Sequence, residues 1–284
     1  MTTLRDGIVA GYDGSPGSDE ALSWAVEEAE TRGCALTVCM AWAPEYMAPL
    51  GDAAVYDLAR QRGETILATG IRRAKATLGA ESVLPLPADG PAAAVLCEQS
   101  TGSEMVVLGA RGHGGAGGRG VRGLNLGSVA WQVSGHARGP VVVVRGEWRV
   151  PHLNPGPVVA GTDGSPASAN VLEFAFREAE LRDVPLVAVC ALADAPATLA
   201  NGRRVQEDFD HVLELQAKAH PEVPVLRQVA PGSARTALLD ATVGAQLLVI
   251  GARGRGGLSG MSLGSVAHVM LHHAPCPVAV LQAI

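Results

Sequence analysis

The chain has 284 residues, of which 48% are hydrophobic and 4% aromatic, and its formal net charge is −6 at pH 7. That length suits two domains, each able to bury a core, and the acidic balance excludes a broad electrostatic footprint for nucleic acid. Lysine occurs only at Lys75 and Lys218, so the lysine of a P-loop is missing from every glycine-rich segment.

In chain order, Ile8 to Tyr12 is expected as a short buried strand and Asp13-Gly14 as a turn. Ser15 before Pro16 is a helix start signal, and Leu22, Ala25, Val26 and Ala29 lie on one face of the helix that follows. A second strand is expected over Ala35 to Ala41, a helix over about Tyr56 to Leu78, and a weaker strand over Ser82 to Leu86. A helix from about Pro91 to Ser100 leads into a strand at Met105 to Leu108. A glycine loop, a helix from Ser128 and a strand at Val141 to Val144 complete the unit. Strands alternating with helices predict a doubly wound parallel sheet covered on both faces.

The same blocks return in the same order. IVAGYDGSPGSDEALSWAVEEAE, from Ile8, recurs as VVAGTDGSPASANVLEFAFREAE, from Val158. VVLGARGHGG recurs as LVIGARGRGG, and LGSVAWQVSGHARGPVVVV as LGSVAHVMLHHAPCPVAVL. Arg145 to Pro157, rich in Pro and Gly, has no periodicity. The expected layout is therefore a domain over 1–146, a linker over 147–157 and a second domain over 158–284.

Ligands of doubly wound sheets bind outside the carboxyl ends of the strands, where the winding reverses. With strand one central and strand four beside it, the Asp-Gly-Ser turn and the glycine loop meet there. In the second copy the loop reads Gly251, Ala252, Arg253, Gly254, then nine residues, then Gly264, Ser265 and Val266 opening a helix. Glycines let N–H groups approach phosphate oxygens, and a helix N-terminus favours negative charge. Arg253 or Arg255 offers a charge-assisted contact, with Gly256 and Gly257 alongside. Asp163 suits ribose hydroxyls or a magnesium ion, Gly161 keeps the strand end slim, and Asp194 lies just past the second strand near a ribose position, with Ala191 at that strand's end. The first-copy set is Gly11, Asp13, Ala41, Gly109, Ala110, Arg111, Gly112, His113, Gly114, Gly127, Ser128 and Val129.

GxxG, nine residues and G[S/T], after a hydrophobic strand and an upstream Asp-Gly-Ser turn, resembles the ATP-binding signature of the universal stress protein family. The resemblance covers essentially the whole chain as two tandem domains, in the style of actinobacterial members. It implies two flavodoxin-like (Rossmann-like) domains with five-stranded parallel sheets, each with ATP, with or without Mg, at the strand ends. It also implies pairing of the two domains and a cytoplasmic role in stress, hypoxia or dormancy. The first copy departs from the pattern. Anchored on its strand it has fourteen residues between Gly112 and Gly127, whereas Gly114 and Gly117 give a register of nine that starts five residues late. The strand-anchored register is preferred here, with the surplus bulging outward.

Three readings stand at this level: a regulatory ATP-binding protein, a slow ATPase or adenylate-forming hydrolase, and a ligand-free scaffold. The loops offer no evident general base in the second copy, and His113 is the exception in the first. Gly260 to Gly264 matches G-x-S-x-G, but it sits late in a long loop and its first-copy counterpart lacks the serine. His268, His272, His273 and Cys276 cluster near the last helix, yet only one of the four is matched in the first copy, so no metal site is assigned. Met1 to Asp6 lacks a signal-peptide core and no apolar run nears the ~18 residues of a membrane span, so a cytoplasmic protein is expected. The five cysteines, without a CxxC, agree with a reducing compartment. Val278 to Leu281 is expected as an exposed edge suited to a homodimer.

Overall fold

Strands covered on both faces carry unbroken apolar runs, and such runs open and close each half of the chain. The computed structural model describes residues 7–43, 53–112, 126–145, 156–165, 167–192, 199–255 and 262–282. The chain divides into two compact units, Met1–Arg145 and Gly146–Ile284.

In the first unit the order is β1 (Ile8–Gly11), α1 (Pro16–Arg32), β2 (Leu36–Trp42), α2 (Ala53–Leu78), β3 (Val83–Asp89), α3 (Ala92–Gln99), β4 (Met105–Gly109), α4 (Ser128–His136) and β5 (Val141–Val144). All pairings are parallel, in the order β3-β2-β1-β4-β5. Winding reverses between β1 and β4, as expected from the sequence. α1 packs on α2 and α3 on α4, one pair to each face.

The second unit repeats this plan with β6 (Val158–Thr162), α5 (Ala167–Leu181), β7 (Leu186–Ala191), α6 (Leu199–Ala219), β8 (Val225–Ala230), α7 (Ala234–Ala241), β9 (Leu247–Gly251), α8 (Ser265–His273) and β10 (Val278–Leu281). Its parallel order is β8-β7-β6-β9-β10. Gly156 and Pro157, read as linker, are held by this unit: the Gln246 side chain donates to the Gly156 carbonyl at 2.8 Å and its N–H to the Pro157 carbonyl at 3.0 Å.

Local chemistry explains the helix boundaries. Ser15 caps α1 by accepting the Ser18 N–H at 3.2 Å, Pro16 begins the helix, and Gly33 ends it at φ 63°. Leu22, Ala25, Val26 and Ala29 are buried, as the periodicity predicts. Each unit also keeps a buried glutamate satisfied by an arginine one turn on: Glu28–Arg32 at 2.7 Å and Glu178–Arg182 at 2.5 Å.

α2 carries two interior glycines, each about 1 kcal/mol unfavourable in a helix relative to alanine. Both face rings: a Cβ on Gly63 would lie 2.6 Å from the Trp42 ring, and one on Gly70 would lie 2.7 Å from the Tyr12 ring. The glycines let the helix settle directly on these aromatics.

β3 is an edge strand. Leu36 donates to the Ser82 carbonyl at 2.8 Å, in register with Val83, so Leu84, Leu86 and Ala88 turn their N–H groups inward. Pro85 and Pro87 therefore fall on outward positions, where no ladder bond is lost. Their counterparts on β8 are Arg227 and Val229. One expectation needs correcting: all four residues of Val278–Leu281 are buried, at 0–8% exposure, so this last strand is not exposed as the sequence reading expected.

Candidate functional site

The Asp-Gly-Ser turn at the end of β1 is built by its own side chains. Asp13 Oδ1 accepts the Ser15 N–H at 3.0 Å, and Ser18 Oγ accepts the Asp13 N–H at 3.4 Å. Ser15 Oγ donates to the Arg111 carbonyl at 3.4 Å, which ties the turn to the glycine loop. That approach requires glycine on both sides: a Cβ on Gly17 would sit 2.4 Å from the Arg111 carbonyl oxygen, and one on Gly109 would sit 2.4 Å from the Gly17 carbonyl oxygen.

The loop then closes. Gly112 lies against the aspartate, where a Cβ would be 2.4 Å from Asp13 Oδ2. The Gly127 N–H donates to the Ala110 carbonyl at 2.8 Å, bringing the start of α4 back to the end of β4. Gly127 caps α4 without a side-chain hydrogen bond, so the cap residue itself does not compete for the N–H groups of the first turn.

The second unit repeats the loop closure, although Ala167 stands where the first unit has Gly17. A Cβ on Gly254 would be 2.6 Å from Asp163 Oδ2, and the Gly264 N–H donates to the Ala252 carbonyl at 2.7 Å. The strand-anchored register of the first copy is thus the one that matches the second, glycine for glycine. The surplus residues lie between two ends that meet alike.

Asp163 accepts from three donors. Oδ1 accepts from the Ser165 N–H at 2.9 Å and from Ser168 Oγ at 3.1 Å, and Oδ2 accepts from the Arg255 N–H at 2.5 Å. Burial pushes its carboxyl up, but the donors from Ser165, Arg255 and Ser168 outweigh that and hold it below the ordinary carboxylate value. The Arg255 guanidinium is already engaged, donating to the Gly164 carbonyl and to Asp208 Oδ2, the latter at 2.9 Å.

In the first unit the strand ends enclose a cleft of about 130 Å³. Of the expected residues, Gly11, Asp13, Ala41, Gly109, Arg111, Gly112, Gly127, Ser128 and Val129 line it together. Ala110 does not; it is buried and serves through its carbonyl. The glycines at the strand ends do more than stay slim. A Cβ on Gly11 would meet Leu108 at 2.4 Å and Leu96 at 3.2 Å, and one on Gly161 would meet Leu238 at 2.9 Å and Ile250 at 3.0 Å. Leucines fill the space, and Leu96 and Leu108 form the cleft's apolar wall.

Sequence reasoning missed Tyr12, Ser18, Cys39, Met40, Ala92, Leu96, Leu108 and Ala130, which also line the cleft. Leu96 had a usable signal, because the repeat places Leu238 at the matching turn of α7. His113, Gly114, Asp194, Gly256 and Gly257 lie outside the described residues. Ala191 and Gly251 stand at the ends of β7 and β9, Arg253 follows Ala252 in the loop, and Ser265 and Val266 open α8.

Other chemistry finds little support. Burial pushes the Cys39 thiol up to about 12 and the Cys190 thiol to about 11, so neither is a nucleophile at neutral pH. Ser262 lies in a bend just before α8, not on a strand-to-helix turn. The His268 and His272 rings lie tilted to one another on α8 with centres 4.5 Å apart, and among the described residues no group of three or more metal-ligating side chains forms. No helix among the described residues is long and apolar enough to cross a membrane.

Fold and site together define a tandem flavodoxin-like protein whose glycine loops fold back on a helix N-terminus at the point where each sheet's winding reverses. The chain belongs to the universal stress protein family, whose model matches residues 5–145 and again 156–282. A universal stress protein of Mycobacterium tuberculosis is 35% identical over 297 residues, spanning 98% of this chain and 97% of that one. A second from the same species is 34% identical over 305 residues, with 97% and 95% covered. The crystal structure of a universal stress protein from Archaeoglobus fulgidus shares the fold at TM-score 0.73 and 20% identity, over 99% of both chains.

Proposed function

We propose that the chain binds an adenine nucleotide, ATP, in the first-unit cleft and at the matching position of the second unit. Its bound state then governs a regulatory role in the stress response. The observation that carries this reading is loop closure: Gly127 on Ala110 and Gly264 on Ala252 each bring an uncapped helix N-terminus to the strand-end cleft, beside an aspartate. The donor set fits a nucleotide, with backbone N–H groups and Arg111 for phosphates and apolar Leu96 and Met40 for a flat base. Any magnesium ion is held chiefly by the phosphates, since both Asp163 oxygens already accept from protein donors. Five free thiols favour a cytoplasmic setting.

The test is to denature the purified chain and quantify released nucleotide by chromatography. About two ATP per chain is expected. Nothing released, with no heat on titrating ATP, sinks the reading; ADP at steady state moves it to a slow ATPase.

A further inference from the structure

Among the described strands, only β8 presents an open edge. β5 and β10 are buried throughout, and β3 sets Pro85 and Pro87 on its outward positions. β8 pairs with β7 alone. Leu186 donates to the Pro224 carbonyl at 2.9 Å and Leu192 to the Ala230 carbonyl at 3.1 Å, so the even-numbered residues of β8 bond inward. Val225, Arg227 and Val229 therefore turn both N–H and C=O outward. Leu226, 61% exposed, is the one large hydrophobic side chain on a described strand that stands in solvent. An open ladder beside an exposed leucine is a surface built to take a further strand.

The edge is able to pair with itself. A two-fold axis makes the pairing antiparallel and sets outward residues opposite one another. A register centred on Arg227 brings two guanidiniums directly opposite, which is unfavourable. One centred on Gln228 leaves Leu226 facing only Ala230. Centred on Leu226, the leucine meets its own copy in a non-hydrogen-bonded pair, where side chains approach most closely. Val225 and Arg227 then exchange backbone hydrogen bonds in both directions. Arg227 stands opposite a valine, with its charge already met by Asp210 at 2.9 Å. With the other edges buried or blocked by proline, such a contact closes as a dimer and does not propagate into a fibre.

We propose that a second copy of this chain docks on β8 through its own β8, antiparallel and centred on Leu226, as a closed two-fold dimer. Val225 to Ala230 takes no part in the nucleotide reading, so either idea can fail alone.

The test begins with sedimentation equilibrium of the full chain at about 100 μM, a concentration suited to a small interface. A mass close to twice that of one chain is expected. Leu226→Lys, which opposes two cations, and Arg227→Pro, which copies Pro85, should each return the chain to monomer with a wild-type circular dichroism spectrum. A wild-type chain that stays monomeric, or a dimer that both variants leave intact, overturns the proposal. Cross-linking then reads the register. In a Cys34→Ser, Cys97→Ser background, which removes the two thiols that are not buried, Leu226→Cys is oxidised with copper phenanthroline. It should form a disulfide-linked dimer about tenfold faster than Gln228→Cys, whose two copies would lie about 14 Å apart, beyond disulfide reach. No linked dimer from Leu226→Cys, or equal rates at both positions, overturns the proposal as well.

Discussion

The two units hold the same backbone hydrogen bonds around their loops and different side chains around their mouths. Fourteen residues separate Gly112 from Gly127, and nine separate Gly254 from Gly264, yet both loops end on the alanine carbonyl beyond the fourth strand. Loop length is thus a poor guide to closure. What closes the loop is the pair of anchors, since adding residues between fixed ends costs little. The mouths have diverged. Beside the aspartate, the first unit places Tyr12 over Gly70, whereas the second has Thr162 on the strand and Val212 on the helix. The second also ties Arg255 to Asp208.

The largest effect should come from the anchors. Gly112→Ala and Gly254→Ala would each drive a methyl against an aspartate oxygen, 2.4 Å and 2.6 Å away. Each should weaken nucleotide at its own site by about 10- to 100-fold, the equivalent of about 1–3 kcal/mol of overpacking. Calorimetric stoichiometry should fall from two to one per chain. A single substitution that emptied both sites would break the picture of separately closed loops.

Next in size is the aromatic packing peculiar to the first unit. Alanine at Gly70 gains helix propensity of about 1 kcal/mol but overpacks Tyr12, so Gly70→Ala should destabilise the wild-type chain by about 1–2 kcal/mol. In a Tyr12→Thr background, which imitates the second unit, the same change should stabilise. Denaturant midpoints of the four variants check this, and an equal cost in both backgrounds would remove the ring as the reason for the glycine.

The smallest effect concerns the second mouth. Arg255 and Asp208 are both well exposed, at 39% and 45%, so their pair is worth at most about 1 kcal/mol. Asp208→Asn should free the guanidinium and tighten nucleotide at that site by about two- to fivefold, less so at high salt. A weaker or unchanged affinity would show that Arg255 serves the turn rather than the ligand.

Much of this was legible in the chain. Strand order followed from central apolar runs and right-handed crossovers, and Val141–Val144 is the strand that the sequence reading outlined. β1 ends at Gly11, one residue earlier than expected, although the Tyr12 N–H still bonds to the Cys39 carbonyl of β2. Most of the loop residues were found because glycine spacing speaks directly about backbone approach. The apolar wall was hidden because Leu96 and Leu108 look like any other core leucines, and only the absent Cβ of Gly11 reveals why they reach the cleft.

The prolines of β3 have a consequence for the chain as it is made. A strand arriving at the outer side of the first sheet finds carbonyls but, at Pro85 and Pro87, no N–H groups to complete a ladder. On that edge, the half synthesised first is thereby shielded from edge-to-edge association while the rest is still emerging. Arg227 and Val229 give the later half no such shield, and its outer strand also leaves Leu226 61% exposed.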